Sequence, residues 1–138
     1  MNIWIINGPN LNTLGRREPA FYGRTSFESY LPSLQQQYPE HRLMAFQSDA
    51  EGEVVALLQQ AGEKADAVVL NAAAYTHTSI AIADAVRSLE IPVIEVHLSN
   101  IFARESYRHA SYLSPVCRGV IAGFGLDSYR MAIENLIR

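Results

Sequence analysis

The sequence is poor in cysteine, in lysine and in charged residues. Its single cysteine, Cys117, can form neither an intrachain disulfide nor a cysteine-rich metal site. Ten of the eleven basic residues are arginines, and the one lysine, Lys64, lies in a polar stretch, which disfavours Schiff-base chemistry. Charged residues make up 18%, below the roughly 25% of typical globular chains, and this scarcity suggests that an oligomer covers part of the surface.

Other absences exclude whole classes of protein. No segment approaches the roughly 18 consecutive apolar residues of a membrane-spanning helix. A net charge of -3 gives no electrostatic support for nucleic-acid binding. The chain opens on an apolar run without a basic leader, so a cytoplasmic location is expected. With 49% hydrophobic residues in 138, the whole chain, residues 1–138, is expected to form one domain.

Apolar runs and helical stripes alternate along the chain. Capping-box patterns at Thr25–Glu28 and Ser48–Glu51 each predict the start of a helix. Five strands alternating with helices predict an α/β fold with a parallel sheet covered on both faces, which right-handed crossovers make a three-layer sandwich. The expected strand order is the flavodoxin-like 2-1-3-4-5. Strands are predicted at residues 2–7, 42–47, 67–70, 92–98 and 118–122, and further helices at 78–89, 104–113 and 126–137.

In such a sheet, ligands bind beyond the carboxyl ends of the strands, near the reversal of strand order between strands 1 and 3. The turns after strands 1, 3 and 4 are therefore the candidate site. The first is long, and loops beyond roughly 12–15 residues are usually functional, so residues 11–24 are expected to form a lid. Polar side chains are concentrated at these turns, including Asn7, Asn10, Arg17 and Tyr22 at the first, Asn71, Thr76 and His77 at the second, and Glu95, His97, Ser99, Arg104 and Arg108 at the third.

Two groups of these side chains suit proton transfer. Glu95 and His97 are two residues apart on a strand and so point to the same face, as when a carboxylate orients a histidine for general acid catalysis. Tyr22, with an ordinary pKa near 10, becomes a base only if cations such as Arg17 and Arg104 stabilise its phenolate. The structural alternatives are that Tyr22 only packs against the protein and that His97 only makes hydrogen bonds inside the sheet.

Motifs for other chemistries are missing. The chain has no P-loop, no nucleophile elbow and no histidine pair typical of a metal site, and Gly123–Phe124–Gly125 lacks the third glycine of a dinucleotide-binding loop. We therefore expect a site without metal or cofactor. Its Tyr, His, Arg and Asn side chains suit proton transfer on a small, anionic, oxygen-rich molecule.

Three segments resemble the signatures of the type II 3-dehydroquinate dehydratases, and the resemblance spans essentially the whole chain. Thr13, Asp49 and Ala73 depart from the residues that are common in that family, but none of the reacting groups is missing. The three segments are Asn7 to Asn12 continuing through Gly15–Pro19 to Tyr22–Gly23, Asn71 with Tyr75–Ser79, and Glu95–Asn100 with Arg104–Glu105, Arg108, Ser114–Pro115 and Gly119.

The resemblance implies anti elimination of water from 3-dehydroquinate to give 3-dehydroshikimate, through an enolate and without a Schiff base, as in the shikimate pathway. It implies Tyr22 as the base beside Arg17 and Arg104, and His97, held by Glu95, as the acid. Asn10 would stabilise the enolate oxygen. It also implies a dodecamer built from four trimers, in which a neighbouring subunit supplies Asp84. The substrate-binding residues it implies are Asn71, His77, Asp84, Leu98, Ser99 and Arg108.

Two other classes of function stay open at this point. A flavodoxin-like binding or signalling module would need a phosphate-binding loop, or an acidic cluster with an Asp after strand 3. The arginine-rich first loop and Asn71 at the end of strand 3 disfavour that alternative. A catalytically silent assembly of the same fold is disfavoured by Tyr22, Arg17 and His97, and a measurement of turnover distinguishes it from an enzyme.

Overall fold

The computed structural model describes residues 1–13 and 25–138. Its five strands are all parallel and form one sheet in the order β2-β1-β3-β4-β5, which confirms the predicted fold class. Every residue of β3 and β4 is buried, as expected for central strands covered on both faces. The strands are β1 Asn2–Asn7, β2 Arg42–Gln47, β3 Ala67–Asn71, β4 Val93–His97 and β5 Gly119–Ala122.

Helices cover the two faces of the sheet. Successive side chains of β1 point to opposite faces, so Ile5 packs in one core with Ile133, whereas Ile6 packs in the other with Ile82. Full burial of one such side chain stabilises the fold by about 1.5–3 kcal/mol. The helices are α1 Phe27–Gln37, α2 Glu51–Lys64, α3 Ile80–Arg87 and α4 Asp127–Ile137, with 3-10 turns at Leu11–Thr13, Ala73–His77, Ile101–Ala103 and Ser106–Arg108.

Both predicted capping boxes are displaced in the structure. α1 is capped by Ser26, whose Oγ accepts the Ser29 N–H at 3.1 Å, and not by Thr25. α2 begins after Ala50, which has no side chain that can cap it. Ser48 instead accepts the Ala50 N–H and donates to the Glu53 carboxylate, closing the turn that precedes the helix. The residue that precedes each helix is thus one position later than predicted for α1 and two positions later for α2. In both turns a serine hydroxyl accepts a backbone N–H that no helix bond uses.

The helix predicted at 104–113 is wrong. This segment contains only the short turn Ser106–Arg108, preceded by the turn Ile101–Ala103. Within this segment, Ser111 Oγ accepts the Leu113 N–H at 3.0 Å and the Thr76 carbonyl accepts the Tyr112 N–H at 2.8 Å, so these backbone donors are not available to a helix. The chain between β4 and β5 is therefore irregular.

The carboxyl ends of β1 and β3 lie close together. Asn7 is paired in register with Asn71, and the Gly8 N–H donates to the Asn71 carbonyl at 2.7 Å. A Cβ on Gly8 would lie 2.6 Å from the Ala72 carbonyl oxygen, so only glycine allows this approach. No helix in the described part of the chain is long and apolar enough to span a membrane.

Candidate active site

A cleft of about 160 Å³ opens at the carboxyl ends of β1, β3 and β4, the edge nominated by the reversal of strand order. Most of the residues expected from the sequence lie around it. Its lining comprises Pro9, Asn10, Leu11, Asn71, Ala73, Ala74, His77, His97, Leu98, Ser99, Ile101, Arg104 and Arg108.

Part of the expected site lies outside the residues that the structure describes. The lid expected at about residues 11–24 is described only as far as Thr13, where a 3-10 turn ends. Tyr22 and Arg17, the expected base and its cation, lie outside the described residues. Both remain predictions from the sequence.

Glu95 and His97 form a buried pair at the end of β4. His97 Nε2 lies 2.5 Å from Glu95 Oε2, and the two side chains are 6% and 0% exposed. An ionised carboxylate only accepts hydrogen bonds, so Nε2 carries the proton and donates it. This leaves Nδ1 as the nitrogen through which His97 can exchange a proton with a ligand.

Three hydroxyl groups surround the Glu95 carboxylate. Thr76 donates to Oε2 at 2.6 Å, Ser111 donates to Oε2 at 3.0 Å, and Ser114 donates to Oε1 at 2.6 Å. Burial by itself would raise the pKa of Glu95, but the hydrogen bonds from His97, Ser114 and Thr76 outweigh it and lower the pKa to about 2. Glu95 is therefore an anion at neutral pH, fixed beneath the histidine.

His77 stands next to His97 across the cleft. The two rings are nearly parallel, with centroids 6.3 Å apart. His77 Nδ1 donates to the Ala110 carbonyl at 2.7 Å, which leaves Nε2 as an acceptor on a neutral ring. Burial lowers the pKa of His77, and the nearby His97 and Arg108 lower it further. A neutral His77 can accept a hydrogen bond from a ligand hydroxyl at physiological pH.

Two arginines give the cleft a positive wall. The Arg104 side chain is 5% exposed and its Nη1 lies 3.4 Å from Ser99 Oγ, while Arg108 Nε donates to Glu105 at 2.8 Å. The helix predicted at 104–113 would have placed these two residues, four apart in the sequence, on one face. The structure brings both to the cleft without a helix, through the turns at 101–103 and 106–108.

Asn10 lines the cleft from the turn after β1, and Asn71 lines it from the end of β3. Asn10 has a φ of 69°, a left-handed conformation that asparagine tolerates. Its N–H donates to Asp49 at 3.0 Å, so Asp49, one of the departures from the family pattern, braces this loop. Asn71 Oδ1 accepts the Ala73 N–H at 3.2 Å.

Asp84 is the expected substrate-binding residue that does not line this cleft. It lies on α3, where its side chain is 63% exposed and pairs with Arg87 at 2.8 Å. Leu98 and Ser99, whose backbone was expected to hold a carboxylate, do line the cleft. Their position is braced by the turn after β5, because Gly123 N donates to the His97 carbonyl and Gly125 N to the Leu98 carbonyl.

Sequence reasoning missed Ser111 and Tyr129, and gave no role to Ser114. Nothing in the sequence around Ser111 and Ser114 indicates that their hydroxyl groups donate to the Glu95 carboxylate on β4. Tyr129 falls within the helix predicted at 126–137, where nothing in the sequence marks it as a contact of the site. Among residues 1–13 and 25–138, no group of three or more His, Cys, Asp or Glu side chains could hold a metal ion.

Comparisons with known proteins identify the family of this chain. The family model described as Dehydroquinase class II matches residues 1–137. A 3-dehydroquinate dehydratase of Exiguobacterium sp. is 51% identical over 138 residues, and one of Prochlorococcus marinus is 49% identical over 139; each match covers 99% of this chain and 94% of the relative. The crystal structure of type II dehydroquinase from Butyrivibrio crossotus has a TM-score of 0.97 at 42% identity, covering 100% of this chain and 98% of that one. The chain belongs to the class II dehydroquinase family.

Proposed function

We propose that this protein is a 3-dehydroquinate dehydratase that removes water from 3-dehydroquinate by anti elimination and releases 3-dehydroshikimate. The observation that carries the proposal is the His97–Glu95 pair in a cleft lined by Arg104 and Arg108, in a chain of this family. A base takes the proton alpha to the ketone, an enolate forms, and the beta hydroxyl leaves as water after accepting a proton. The atoms balance without any further reactant.

His97 is the group proposed to protonate the leaving hydroxyl. Its Nε2–H stays bonded to the Glu95 anion, so the proton that it gives comes from Nδ1 of the imidazolium ring. The fixed negative charge of Glu95 stabilises that imidazolium, which is the form needed for general acid catalysis. Tyr22 is proposed as the base, with Arg17 and Arg104 favouring its phenolate.

The polar lining supports recognition of a small hydroxylated acid. Arg104 and Arg108 attract the carboxylate, which the backbone at Leu98 and Ser99 is proposed to hold. Asn71 and His77 are proposed to bind ring hydroxyls, together with Arg108. Asn10 is proposed to stabilise the enolate oxygen, a task of the kind that contributes roughly 3 kcal/mol in other enzymes.

The position of Lys64 supports a reaction without an imine. Lys64 ends α2, and its carbonyl accepts a hydrogen bond from Asn2 at the start of β1. It is thus at the amino ends of the strands, whereas the cleft is at their carboxyl ends. A Schiff base needs a lysine amine, and this is the only lysine in the chain.

We also propose that the protein is a dodecamer of four trimers in which Asp84 completes the cleft of a neighbouring subunit. Asp84 is exposed on α3 and lies outside its own cleft among the described residues. Large apolar side chains are exposed on the isolated chain, including Phe102 at 66%, Tyr107 at 63% and Ile80 at 60%. Burial of such side chains between subunits would stabilise an assembly. Light scattering of the purified protein would measure its mass.

The test of the activity is direct. Purified protein is mixed with 3-dehydroquinate without added metal or cofactor, and the ultraviolet absorbance of the conjugated enone product is followed, with and without prior borohydride treatment. We expect the absorbance to grow, and to grow equally fast after borohydride treatment. A flat trace from folded, oligomeric protein would overturn the proposal and favour a binding module or a silent assembly.

A further inference from the structure

A buried tyrosine hydroxyl joins the ends of two strands beneath the cleft. Tyr129, on α4, is fully buried, and its hydroxyl donates to Asn7 Oδ1 at 2.7 Å. The same hydroxyl accepts a hydrogen bond from Asn71 Nδ2 at 3.0 Å. Asn7 and Asn71 are the last residues of β1 and β3 and are paired in register. The hydroxyl thus bridges the two strand ends between which the strand order reverses.

These contacts determine the orientation of the Asn71 amide. Asn7 Oδ1 can only accept, so the hydroxyl proton of Tyr129 is committed to it and the hydroxyl can only accept from Asn71. Asn71 Oδ1 in turn accepts the Ala73 N–H at 3.2 Å. Burial raises the pKa of Tyr129, so the phenol keeps the proton on which this direction depends. One Nδ2 hydrogen of Asn71 remains for a ligand in the cleft that this residue lines.

We propose that Tyr129 is a positioning residue, which holds Asn71 so that the cleft receives an N–H donor and not an amide oxygen. The inference rests on the proposed function, because it assigns Asn71 the hydroxyl of a bound hydroxy acid. Without the tyrosine hydroxyl, only the 3.2 Å bond from the Ala73 N–H still orients the Asn71 amide, and the turned-over amide becomes populated beside the observed one. The cleft would then offer the ligand a mixture of donor and acceptor.

The first test replaces Tyr129 by Phe, which keeps the ring packed 4.9 Å from that of Phe27 and removes only the hydroxyl. KM for 3-dehydroquinate is expected to rise about tenfold while kcat changes less than about twofold, because one ligand hydrogen bond is weakened. Tyr38→Phe is the matched control. The Tyr38 hydroxyl, also on a largely buried side chain, donates to Glu134 of the same helix α4 at 2.8 Å but is remote from the cleft lining.

A double-variant cycle tests whether Tyr129 acts through Asn71. Asn71→Ala is expected to raise KM by itself, and adding Tyr129→Phe should then change KM less than about twofold. An unchanged KM in folded Tyr129→Phe, or KM changes that multiply in the double variant, would overturn the inference. An equal rise in KM for Tyr38→Phe would also overturn it, since it would indicate a general loss of stability.

A readout without turnover separates this inference from the proposed function. The 15N side-chain amide signals of Asn71 are expected to shift in Tyr129→Phe and to stay in place in Tyr38→Phe. If Tyr129→Phe does not fold, Asn7→Ala serves instead, because it frees the Tyr129 proton to be donated to Asn71 and should shift the same signals. Unmoved signals would overturn the positioning role, whereas lack of turnover in the unsubstituted protein would overturn the proposed function alone.

Discussion

His97 Nε2 donates to Glu95 Oε2 over 2.5 Å on one face of β4, and both side chains are buried. Because three hydroxyl groups also donate to this carboxylate, Glu95 remains an anion without direct access to solvent. The pair therefore leaves Nδ1 as the nitrogen of His97 that can exchange a proton with the substrate. A histidine without that anion would have neither a defined tautomer nor a stabilised cation.

Glu95→Gln should lower kcat by about 100-fold or more with little change in KM, because the neutral amide cannot stabilise the imidazolium of His97. The measurement is steady-state turnover of 3-dehydroquinate together with circular dichroism to verify folding. Glu53→Gln is the control, since Glu53 also accepts a serine hydroxyl, that of Ser48, but lies outside the cleft lining. Near-normal kcat in a folded Glu95→Gln protein would contradict the role assigned to the pair.

Ser114→Ala should make the protein more sensitive to acid. The pKa of Glu95 falls from 4.5 to about 2 on folding, so its ionisation stabilises the fold above pH 4.5 and that stabilisation is lost as the pH falls towards 2. Removing the Ser114 hydroxyl raises the folded pKa, so acid unfolding should begin at higher pH. The measurement is the free energy of unfolding in urea between pH 7 and about pH 3.

The control for this acid titration is Ser88→Ala, which removes a hydroxyl that donates to the Ala85 carbonyl. Its cost should not vary with pH, because no titrating group accepts that bond. A pH-independent difference between Ser114→Ala and the unsubstituted protein would show that the hydroxyl does not affect the ionisation of Glu95.

His77→Ala should raise KM for 3-dehydroquinate by about tenfold, as expected for loss of one hydrogen bond to the ligand. Because the pKa of His77 is lowered, its contribution to binding should persist as the pH falls to 6.5, where an unperturbed histidine is half charged. The pH dependence of kcat/KM in both proteins measures this. His41→Ala is the control, since among the described contacts the His41 side chain bonds only the N-terminal amine; equal KM values for all three proteins would exclude His77 from binding.

Tyr22→Phe should reduce turnover to background while leaving assembly and ligand binding largely intact, because this hydroxyl is the proposed base. Steady-state assays measure the turnover, and light scattering measures the mass of the assembly. Single-turnover mixtures measure the binding of the substrate. Loss of folding in this variant would mean that Tyr22 is structural. A folded variant with ordinary turnover would move the role of base to another residue.

Ala73→Gly should leave the protein equally stable or more stable, by up to about 1.5 kcal/mol. Ala73 has a φ of 52°, which costs an L-residue about 1–2 kcal/mol, whereas glycine loses only about 0.5–1 kcal/mol of chain entropy. Ala74→Gly, in the same 3-10 turn but without positive φ, should destabilise. Urea midpoints measure both, and equal losses would contradict the strain at Ala73.

Local sequence patterns were sufficient for the five strands, for the four helices that the structure contains and for the edge of the sheet that carries the site, but they wrongly added a helix at 104–113. The apolar runs identify the strands because a buried parallel strand must be apolar on both faces. The site follows from topology, since parallel strands end at one edge and Asn71 and His97 each end a strand there. Spacing also placed Glu95 and His97 on one face, because side chains alternate along a strand.

Tertiary structure decided the contacts that give these residues their chemistry. The Tyr129 hydroxyl meets Asn7 across 122 residues, and Ser111 and Ser114 reach Glu95 from a segment that side-chain hydrogen bonds keep from becoming the predicted helix. Such contacts have no period in the sequence, because they depend on where whole elements pack. The amino-acid sequence by itself thus determined the layers and the site edge through local periodicity, whereas the ionised Glu95 and the oriented Asn71 amide exist only once burial and packing bring distant hydroxyl groups to them.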